Sequence, residues 1–327
     1  MKSKILNMLK EKTGDFVSGA EISEALAISR QAVSKHINNL KTQGYDIESV
    51  SRKGHRLVET HEMYNKAELL SELKTKRLGQ NMVFLDSVDS TNNYAKQMAL
   101  KAEDHYVVIS DEQTAGKGRL GREWKSEKGT GVWITILLKP DIEPAEAPKI
   151  TQIAAAAMVE AIEDVTGEDI QIKWPNDLIY KKKKVTGILT EMSAELGGIN
   201  YVVVGTGVNV NQSTFPQEIE DKAISLKKGL GRNVSRKDIV LKFLEKFEIL
   251  YDEFIDLKAM PSTIDICRRK SILIGKKVNV ITKTASRQVE VIDINDDGHL
   301  VVLNEDNNKE AIFYGEVSVR GLYEYID

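Results

Sequence analysis

The sequence predicts an α+β protein in three parts: a winged helix-turn-helix over 1–60, a mixed α/β unit over 61–270 and a strand-rich unit over 271–327. Three observations predict it. The first sixty residues place apolar side chains at helical spacing and end in a short hairpin pattern. The middle of the chain alternates apolar strand-like runs with long amphipathic stretches. From Val278 onward, short alternating runs separated by polar turns argue a small β-barrel.

Composition sets the outer limits. A length of 327 residues suits two or three domains and a sizeable core. The net charge of −3 gives no global nucleic-acid signal, so any DNA binding has to be local. The single cysteine, Cys267, cannot form an intramolecular disulfide and reads as a small buried apolar residue, which fits a reducing cytoplasm. No apolar run approaches the roughly 20 residues of a membrane span, and the N-terminus lacks an apolar signal core. A cytoplasmic chain is expected.

In the first part, Ile5, Leu6, Met8 and Leu9 give a short helix ending near Gly14, and Ile22, Ala25 and Leu26 mark a second. A third opens at Ser29, whose hydroxyl can accept from an N–H of the first turn. Val33, Ile37 and Leu40 form its inward stripe, while Arg30, Gln31, Ser34, Lys35 and Asn38 face the other way. Those donors suit phosphates and base edges. Gly44 ends the helix, and Ile47 to Val50 with Arg56 to Val58 make a hairpin with Arg52 and Lys53 near its tip. Residues 1–58 hold ten Lys/Arg against six Asp/Glu, ten minus six or +4 in a net negative chain. That asymmetry favours a DNA-binding unit over a protein-binding winged helix. His36 has no Cys/His set around it and reads as a surface or phosphate-contact residue.

Residues 59–80 read as a connector helix and turns, and the central unit begins near Val83. Ser90-Thr91-Asn92 follows a short strand and opens a helix, so its hydroxyls can cap that helix, line a pocket, or both. Tyr106 to Ser110 is a strand feeding Gln113 and the loop Gly116-Lys117-Gly118-Arg119-Leu120-Gly121-Arg122-Glu123-Trp124. Three glycines and three cations there can close over an anion. The glycines formally satisfy G-x-G-x-x-G, but Val132 to Leu138 beyond them is a strand, and a dinucleotide fingerprint needs a helix. A lid over a reactive intermediate is the better account.

Ile150 to Ile162 mark a helix ending by Gly167, and Ile170 and Ile172 lead into Lys173-Trp174-Pro175-Asn176-Asp177. The proline denies the strand a ladder donor and should end it there. Lys181 to Lys184 interrupt a hairpin before Val185 to Glu191. Val202 to Val204 form a buried strand ending at Gly205-Thr206-Gly207-Val208-Asn209, and a polar loop with a short helix fills 211–232. Ser235-Arg236-Lys237-Asp238 caps a long helix whose aromatics are core. Asp293 to Gly298 resembles the start of a calcium loop, but its twelfth position is Asn304 and a hairpin turn explains it better.

The glycine loop and Lys173-Trp174-Pro175-Asn176-Asp177 together resemble the signatures of the biotin protein ligase family, with Lys117 in place of that family's first arginine. Residues 29–37 also resemble the repressor domain of its bifunctional members, and Gly315-Glu316-Val317-Ser318-Val319-Arg320 resembles a C-terminal family segment. The resemblance implies a class II synthetase-like ligase domain and an SH3-like C-terminal barrel. It implies a ligase that forms biotinyl-5'-AMP from biotin and Mg2+-ATP and passes biotin to a carrier lysine. The carriers would be domains of acetyl-CoA carboxylase or pyruvate carboxylase. Biotinyl-AMP would also be corepressor, with a homodimer on operator DNA.

The same resemblance implies site roles. Biotin would lie against Ser90, Thr91, Asn92, Gln113, Gly116, Lys117, Gly118, Arg119, Lys184 and Gly187. The adenylate would meet Arg119, Arg122, Trp124, Asn176, Asn209 and Arg320. Arg119, Lys173 and Lys184 would neutralise developing charge, with Lys183 in the place of Lys184 if the register slips, and Asp177 would organise Mg2+ or orient the incoming lysine. DNA would be met by Arg30, Gln31, Ser34, Lys35, Arg52 and Lys53. A lipoate or octanoyl ligase and a ligand-sensing repressor without catalysis are the competing readings.

Overall fold

The computed structural model describes residues 1–12, 14–42, 44–58, 63–101, 105–195, 198–281, 286–304 and 306–313, with the backbone alone over 318–320. The chain forms two compact units, Met1–Lys74 and Thr75–Asp327.

The first unit holds α1 (Lys2–Glu11), α2 (Gly19–Leu26), α3 (Arg30–Thr42), the hairpin β1 (Ile47–Val50) and β2 (Gly54–Leu57), and α4 (Lys66–Glu72). Ile5, Leu6, Leu9, Ile22, Val33, Ile37 and Leu40 are buried in one apolar cluster, as their helical spacing requires. Between α2 and α3 the chain turns at Ala27, in the left-handed region at φ 53°. Ser29 then caps α3 by accepting from Ala32 N at 3.1 Å. Strands β1 and β2 pair antiparallel, with Val17 bridged to His55 at their side, so a wing follows the third helix. Helix α4 joins this unit through Lys10, which is ion-paired with Glu68 and Glu72, and through Tyr45 Oη, which donates to Glu68 Oε2 at 2.8 Å.

The second unit is built on a seven-stranded sheet, ordered β3-β4-β5-β9-β8-β7-β6. Its strands are β3 (Met82–Leu85), β4 (Tyr106–Ser110), β5 (Gly131–Leu138), β6 (Gln171–Lys173), β7 (Asp177–Tyr180), β8 (Lys183–Glu195) and β9 (Gly198–Asn209). Only β3 and β4 run parallel. Helix α5 (Thr91–Ala99) packs on the sheet, with Ala95 and Ala99 against Val108, Leu137 and Val203. Period-two alternation puts Trp133 and Thr135 on the same face as Leu137. It does the same for their cross-strand partners Gly207, Gly205 and Val203. Helix α6 (Lys149–Thr166) and the later α8 (Arg236–Leu257) pack against each other and on the sheet, so β5 is buried along its whole length.

Strand β6 ends at Lys173, just before the cis Trp174–Pro175 bond, as the missing proline donor predicts. The β7–β8 hairpin turns at Lys181 and Lys182, both at positive φ, so its two-residue turn falls inside the lysine run. The strand read at Val202–Val204 is the middle of β9, which runs on through Gly205 and Gly207 and ends at Asn209. Two glycines weaken a strand, but here they stay in the ladder because other side chains need the space that a Cβ would take.

Segment 211–232 carries α7 (Leu226–Leu230), and α8 follows with Ser235 accepting from Asp238 N at 3.1 Å. Helix α9 (Pro261–Lys270) leads to β10 (Lys277–Ile281), β11 (Ser286–Ile294), β12 (Leu300–Leu303), β13 (Lys309–Ile312) and β14 (Ser318–Arg320). These five form an antiparallel sheet ordered β13-β12-β11-β10-β14. Among the described residues its two edge strands do not pair, so the sheet is open where the sequence pattern suggested a barrel. The acidic turn between β11 and β12 is neutralised by basic side chains. Arg268 bonds Asp293 Oδ1 at 3.1 Å and Asp296 Oδ1 at 2.9 Å, and Lys149 reaches Asp297 Oδ1 at 3.3 Å. Cys267 is buried, and burial pushes its thiol up to about 12. No described helix is long and apolar enough to cross a membrane.

Glu248 on α8 fixes the start of this unit. Its carboxylate accepts from the backbone N–H groups of Lys76, Arg77 and Leu78 at 2.7, 2.8 and 2.9 Å. Burial opposes the charge, but the three donors together outweigh it and hold the group below the usual glutamate range. A carboxylate lowered in the folded state stabilises above its unfolded pKa and loses that contribution as pH falls through the folded value. Glu248→Ala should therefore lower stability by about 2 kcal/mol at pH 7. In denaturant titrations the difference from the native chain should shrink below about pH 4.

Candidate active site

The face of the sheet that carries α5 also carries a cleft of about 300 Å3. Its floor is set by register. Gly187 on β8 lies opposite Gly207 on β9, and Gly207 lies opposite Trp133 on β5. The Trp124 indole lies against this glycine pair. A Cβ on Gly207 would come within 2.4 Å of Trp124 Nε1, and one on Gly187 within 2.8 Å of Trp124 Cζ3. Only a bare backbone on both strands leaves room for the ring. Lys184 Nζ sits 5.2 Å from the ring centroid and 2.6 Å from Asp177 Oδ1, so one cation is held by an aromatic face and a carboxylate together.

The glycine loop folds back on itself above this floor. Gly118 N donates to Arg122 O at 2.7 Å and Trp124 N to Gly116 O at 2.9 Å, while Lys117 and Glu123 form a β-bridge. These N–H groups serve the loop itself, so charge for an anion has to come chiefly from side chains. Arg119 supplies it from inside the cleft, where its Nη1 donates to Asn176 Oδ1 at 2.9 Å. Burial lowers the Arg119 pKa, Asp177 works in the opposite direction, and the guanidinium stays charged. Leu120 points out at the loop tip, 64% exposed, with φ 57°. Lys117 reaches Asn93 Oδ1 at 2.9 Å from an exposed position, and Arg122 is exposed beside the cleft mouth.

Lys173, 3% exposed, also lines the cleft. Its neighbour Trp174 donates from Nε1 to Gly298 O at 3.0 Å, and Gln152 Nε2 donates to the same carbonyl at 2.7 Å. The β11–β12 turn therefore buttresses the back of the motif. Asn176 is fixed twice more, donating from Nδ2 to Ile188 O at 2.9 Å and accepting Ile188 N at its own carbonyl at 3.0 Å.

At one end of the cleft the lining is polar and neutral. Ser90 is the residue before α5; its hydroxyl makes no capping bond, and the residue lines the cleft. Thr91 N donates to Gln113 Oε1 at 2.9 Å, and Gln113 Nε2 donates to Ser126 Oγ at 2.8 Å. Asn92 is used internally: Nδ2 donates to Glu191 Oε2 at 2.9 Å and to Leu189 O at 3.2 Å, while Oδ1 accepts from Thr135 Oγ1 at 2.7 Å. Its carboxamide sits where a Cβ on Gly205 would be, 2.2 Å from Oδ1.

The structure thus brings together Ser90, Thr91, Asn92, Gln113, Lys117, Gly118, Arg119, Arg122, Trp124, Lys173, Asn176, Asp177, Lys184, Gly187 and Asn209 around one cleft. Gly116 is buried behind Trp124 and Ser126. Arg320 belongs to β14, but its side chain lies outside the described residues, as do Gly315, Glu316 and Val317. Lys184 rather than Lys183 enters the cleft; Lys183 Nζ donates to Glu220 O at 2.9 Å. Among the described residues, no group of three or more His, Cys, Asp or Glu side chains converges on a metal position, and Asp177 is held by Lys184.

Residues that the sequence reading did not single out complete the site. Thr135 and Glu191 orient Asn92, Gln212 Nε2 donates to Asn209 Oδ1 at 3.1 Å, and Lys222 O accepts Lys184 N at 2.7 Å. The only available signal was the alternation of glycine in an otherwise apolar β9.

In the first unit, Arg30, Gln31, Ser34, Lys35, Asn38 and Asn39 line a shallow exposed groove on α3, and Arg52 and Lys53 are exposed at the wing turn. The residues expected to meet DNA therefore share the α3 face and the tip of the wing that follows it.

Comparison with known proteins adds three findings. Residues 84–209 match the biotin/lipoate A/B protein ligase family, and residues 2–56 match an HTH domain. The bifunctional ligase/repressor BirA of Bacillus subtilis strain 168 is 35% identical over 313 residues, 95% of this chain and 96% of that protein. Its Bacillus spizizenii counterpart is 34% identical over the same span. The structure of biotin protein ligase from Aquifex aeolicus in complex with biotin and ATP is 29% identical, with a TM-score of 0.65. It covers 74% of this chain and 99% of that one.

The Trp124 seat generates a test. Gly207→Ala should lift the indole from the sheet, seen as a red-shifted emission that is absent when the same change is made in a Trp124→Phe background. The unfolding free energy should fall by about 1–3 kcal/mol.

Proposed function

This chain belongs to the bifunctional ligase/repressor family of biotin protein ligases, and from that premise we infer how its cleft works. The protein is an ATP-dependent biotin protein ligase and a biotin-dependent repressor. In the first step a biotin carboxylate oxygen attacks the α-phosphorus of ATP, forming biotinyl-5'-AMP and releasing pyrophosphate. In the second, the Nζ of a carrier lysine attacks the acyl carbon, forming an amide and releasing AMP. Neither step needs an enzyme nucleophile, so catalysis rests on positioning and on charge placed where negative charge develops.

The observation that carries this reading is the convergence of Arg119, Lys184 and Lys173 beside a neutral polar end lined by Ser90, Thr91 and Gln113. Lys173 is buried and Arg119 and Lys184 are half-buried, and a carboxylate and a phosphate meeting at one point suit three cations gathered on one cleft. Trp124 gives the intermediate an apolar wall. Asn176 orients Arg119, and Asp177 orients Lys184. Asp177 is the motif carboxylate that would hold the Mg2+ of the ATP substrate, whose charge would offset that of the phosphates. Asn209, Arg122 and, by the family resemblance, Arg320 would complete the nucleotide end.

The three-part division at about 60 and 270, the SH3-like character of the C-terminal sheet and a cytoplasmic location belong to the same proposal. So do the acetyl-CoA carboxylase and pyruvate carboxylase carriers. Repression would require a homodimer of the adenylate-bound form, because two winged helices match a two-fold operator.

Two tests follow. Incubation with ATP, Mg2+, biotin and a biotin carrier domain should add one biotin mass to the carrier. Lys184→Ala and Arg119→Gly should each slow that reaction by about 100-fold or more while remaining folded. Lys35→Ala should weaken binding to a duplex from a biotin-gene promoter, measured by anisotropy with biotin and ATP present. The slope of log affinity against log salt should fall by about one for each lost phosphate contact.

A further inference from the structure

Of the four lysines in the β7–β8 hairpin, Lys184 enters the cleft, and two of the others hold segment 211–232. That segment lines the cleft beside Asn209 with Gln212, Phe215, Ile219, Lys222 and Ala223. Lys183 Nζ donates to Glu220 O at 2.9 Å, and Lys181 Nζ donates to Gly229 O at 2.5 Å. Between these points the backbone of Lys184 forms a parallel bridge with Ala223, donating to Lys222 O at 2.7 Å and accepting from Ile224 N at 3.0 Å. The hairpin therefore grips the segment at 220, at 222–224 and at 229.

The grip at Gly229 has a shape as well as a bond. Its backbone lies on the Tyr180 ring, where a Cβ would come within 1.9 Å of Cε1 and 2.8 Å of Oη. Tyr180 is 2% exposed and its Oη donates to Glu168 Oε2 at 2.7 Å, so the ring is not free to swing aside. Burial and the Glu168 carboxylate push the phenol's pKa up and keep it a donor. Lys181 Nζ sits 5.1 Å from the centroid of the same ring, so ring, bare backbone and cation make one joint. Tyr180, Lys181, Lys183 and Gly229 are not among the described residues that line the cleft. What they do for a ligand has to pass through the segment they hold.

We propose that Tyr180, Lys181 and Lys183 are positioning residues for the nucleotide, fastening segment 211–232 to the sheet and so setting how tightly the cleft holds ATP and the acyl-adenylate. This role rests on the ligase reading above and is separate from the reacting groups. A nucleotide meets a complete cleft only while the segment is fastened, so its apparent affinity falls with the fastened fraction. The end lined by Ser90, Thr91 and Gln113 is built by α5 and the residues before the glycine loop, and it shares none of these bonds. Loosening the joint is therefore felt by ATP and not by free biotin.

The test is biotinyl-adenylate formation by Gly229→Ala and by the double variant Lys181→Met/Lys183→Met, with folding checked by circular dichroism. KM for ATP should rise about tenfold in Gly229→Ala and about threefold in the lysine pair, while KM for biotin stays within about twofold. Preformed biotinyl-adenylate should also leave both variants faster than it leaves the native protein, read by chase with unlabelled ligand. Lys181→Arg/Lys183→Arg keeps both donors and should bring KM for ATP within about twofold of native. Should Gly229→Ala not fold, the lysine pair carries the comparison alone. A native KM for ATP in the folded variants, or a KM for biotin that rises in proportion, would overturn the proposal. A native protein that makes no biotinyl-adenylate would instead remove the ligase reading, and this inference with it.

Discussion

The register of β8 against β9 is the constraint on which the site depends. It sets Gly187 opposite Gly207, so that two adjacent strands present bare backbone at one spot on an otherwise well-filled sheet. Trp124 occupies that spot, and through it the glycine loop gains a fixed anchor. Lys184 lies over the ring, Asp177 bonds Lys184, and Asp177 is itself opposite Gly187 in the β7–β8 ladder. A slip of one residue would turn the glycines to the helix-covered face and leave side chains where the indole now lies. Loop, cation and carboxylate are thus placed by a single ladder.

The second support comes from behind. The Gly298 carbonyl accepts from both Trp174 and Gln152, so the turn of the C-terminal sheet holds the strand-end motif and helix α6 at one atom. That turn is kept in place by Arg268 and Lys149 on its carboxylates. Segment 211–232 adds a third hold: Lys184 N donates to Lys222 O, and Ile224 N returns a bond to Lys184 O at 3.0 Å. Lys184 therefore sits on backbone that is bonded on both sides, which favours a narrow range of side-chain positions.

Much of this was legible in the sequence because it depended on residue type. Ser29 capped α3, the Val33–Ile37–Leu40 stripe turned inward, Pro175 ended β6, and the strand after the glycine loop excluded a dinucleotide site. Lys184 separated itself from three neighbouring lysines once the turn was placed at Lys181 and Lys182. The rest depended on contacts between distant residues with no signature of their own. Asn92 lines the cleft, but its amide is also claimed by Glu191, a partner 99 residues away that nothing in the sequence marks. Gly205 and Gly207 lie in the last residues of the strand, and that their bare backbone makes room for Asn92 and Trp124 could not be read from their spacing. The carbonyls of Gly298 and Lys222 could not be picked out at all, since every residue carries one. Alternation after Val278 gave strands but did not determine whether their edges meet.

The central claim is that this cleft activates biotin as an acyl-adenylate before any carrier is present. Exchange of labelled pyrophosphate into ATP, measured without carrier protein, tests it directly. The account predicts exchange that depends on biotin and Mg2+ and is strongly reduced in Lys184→Ala. Exchange that is absent with biotin, or that proceeds equally without it, would contradict the account.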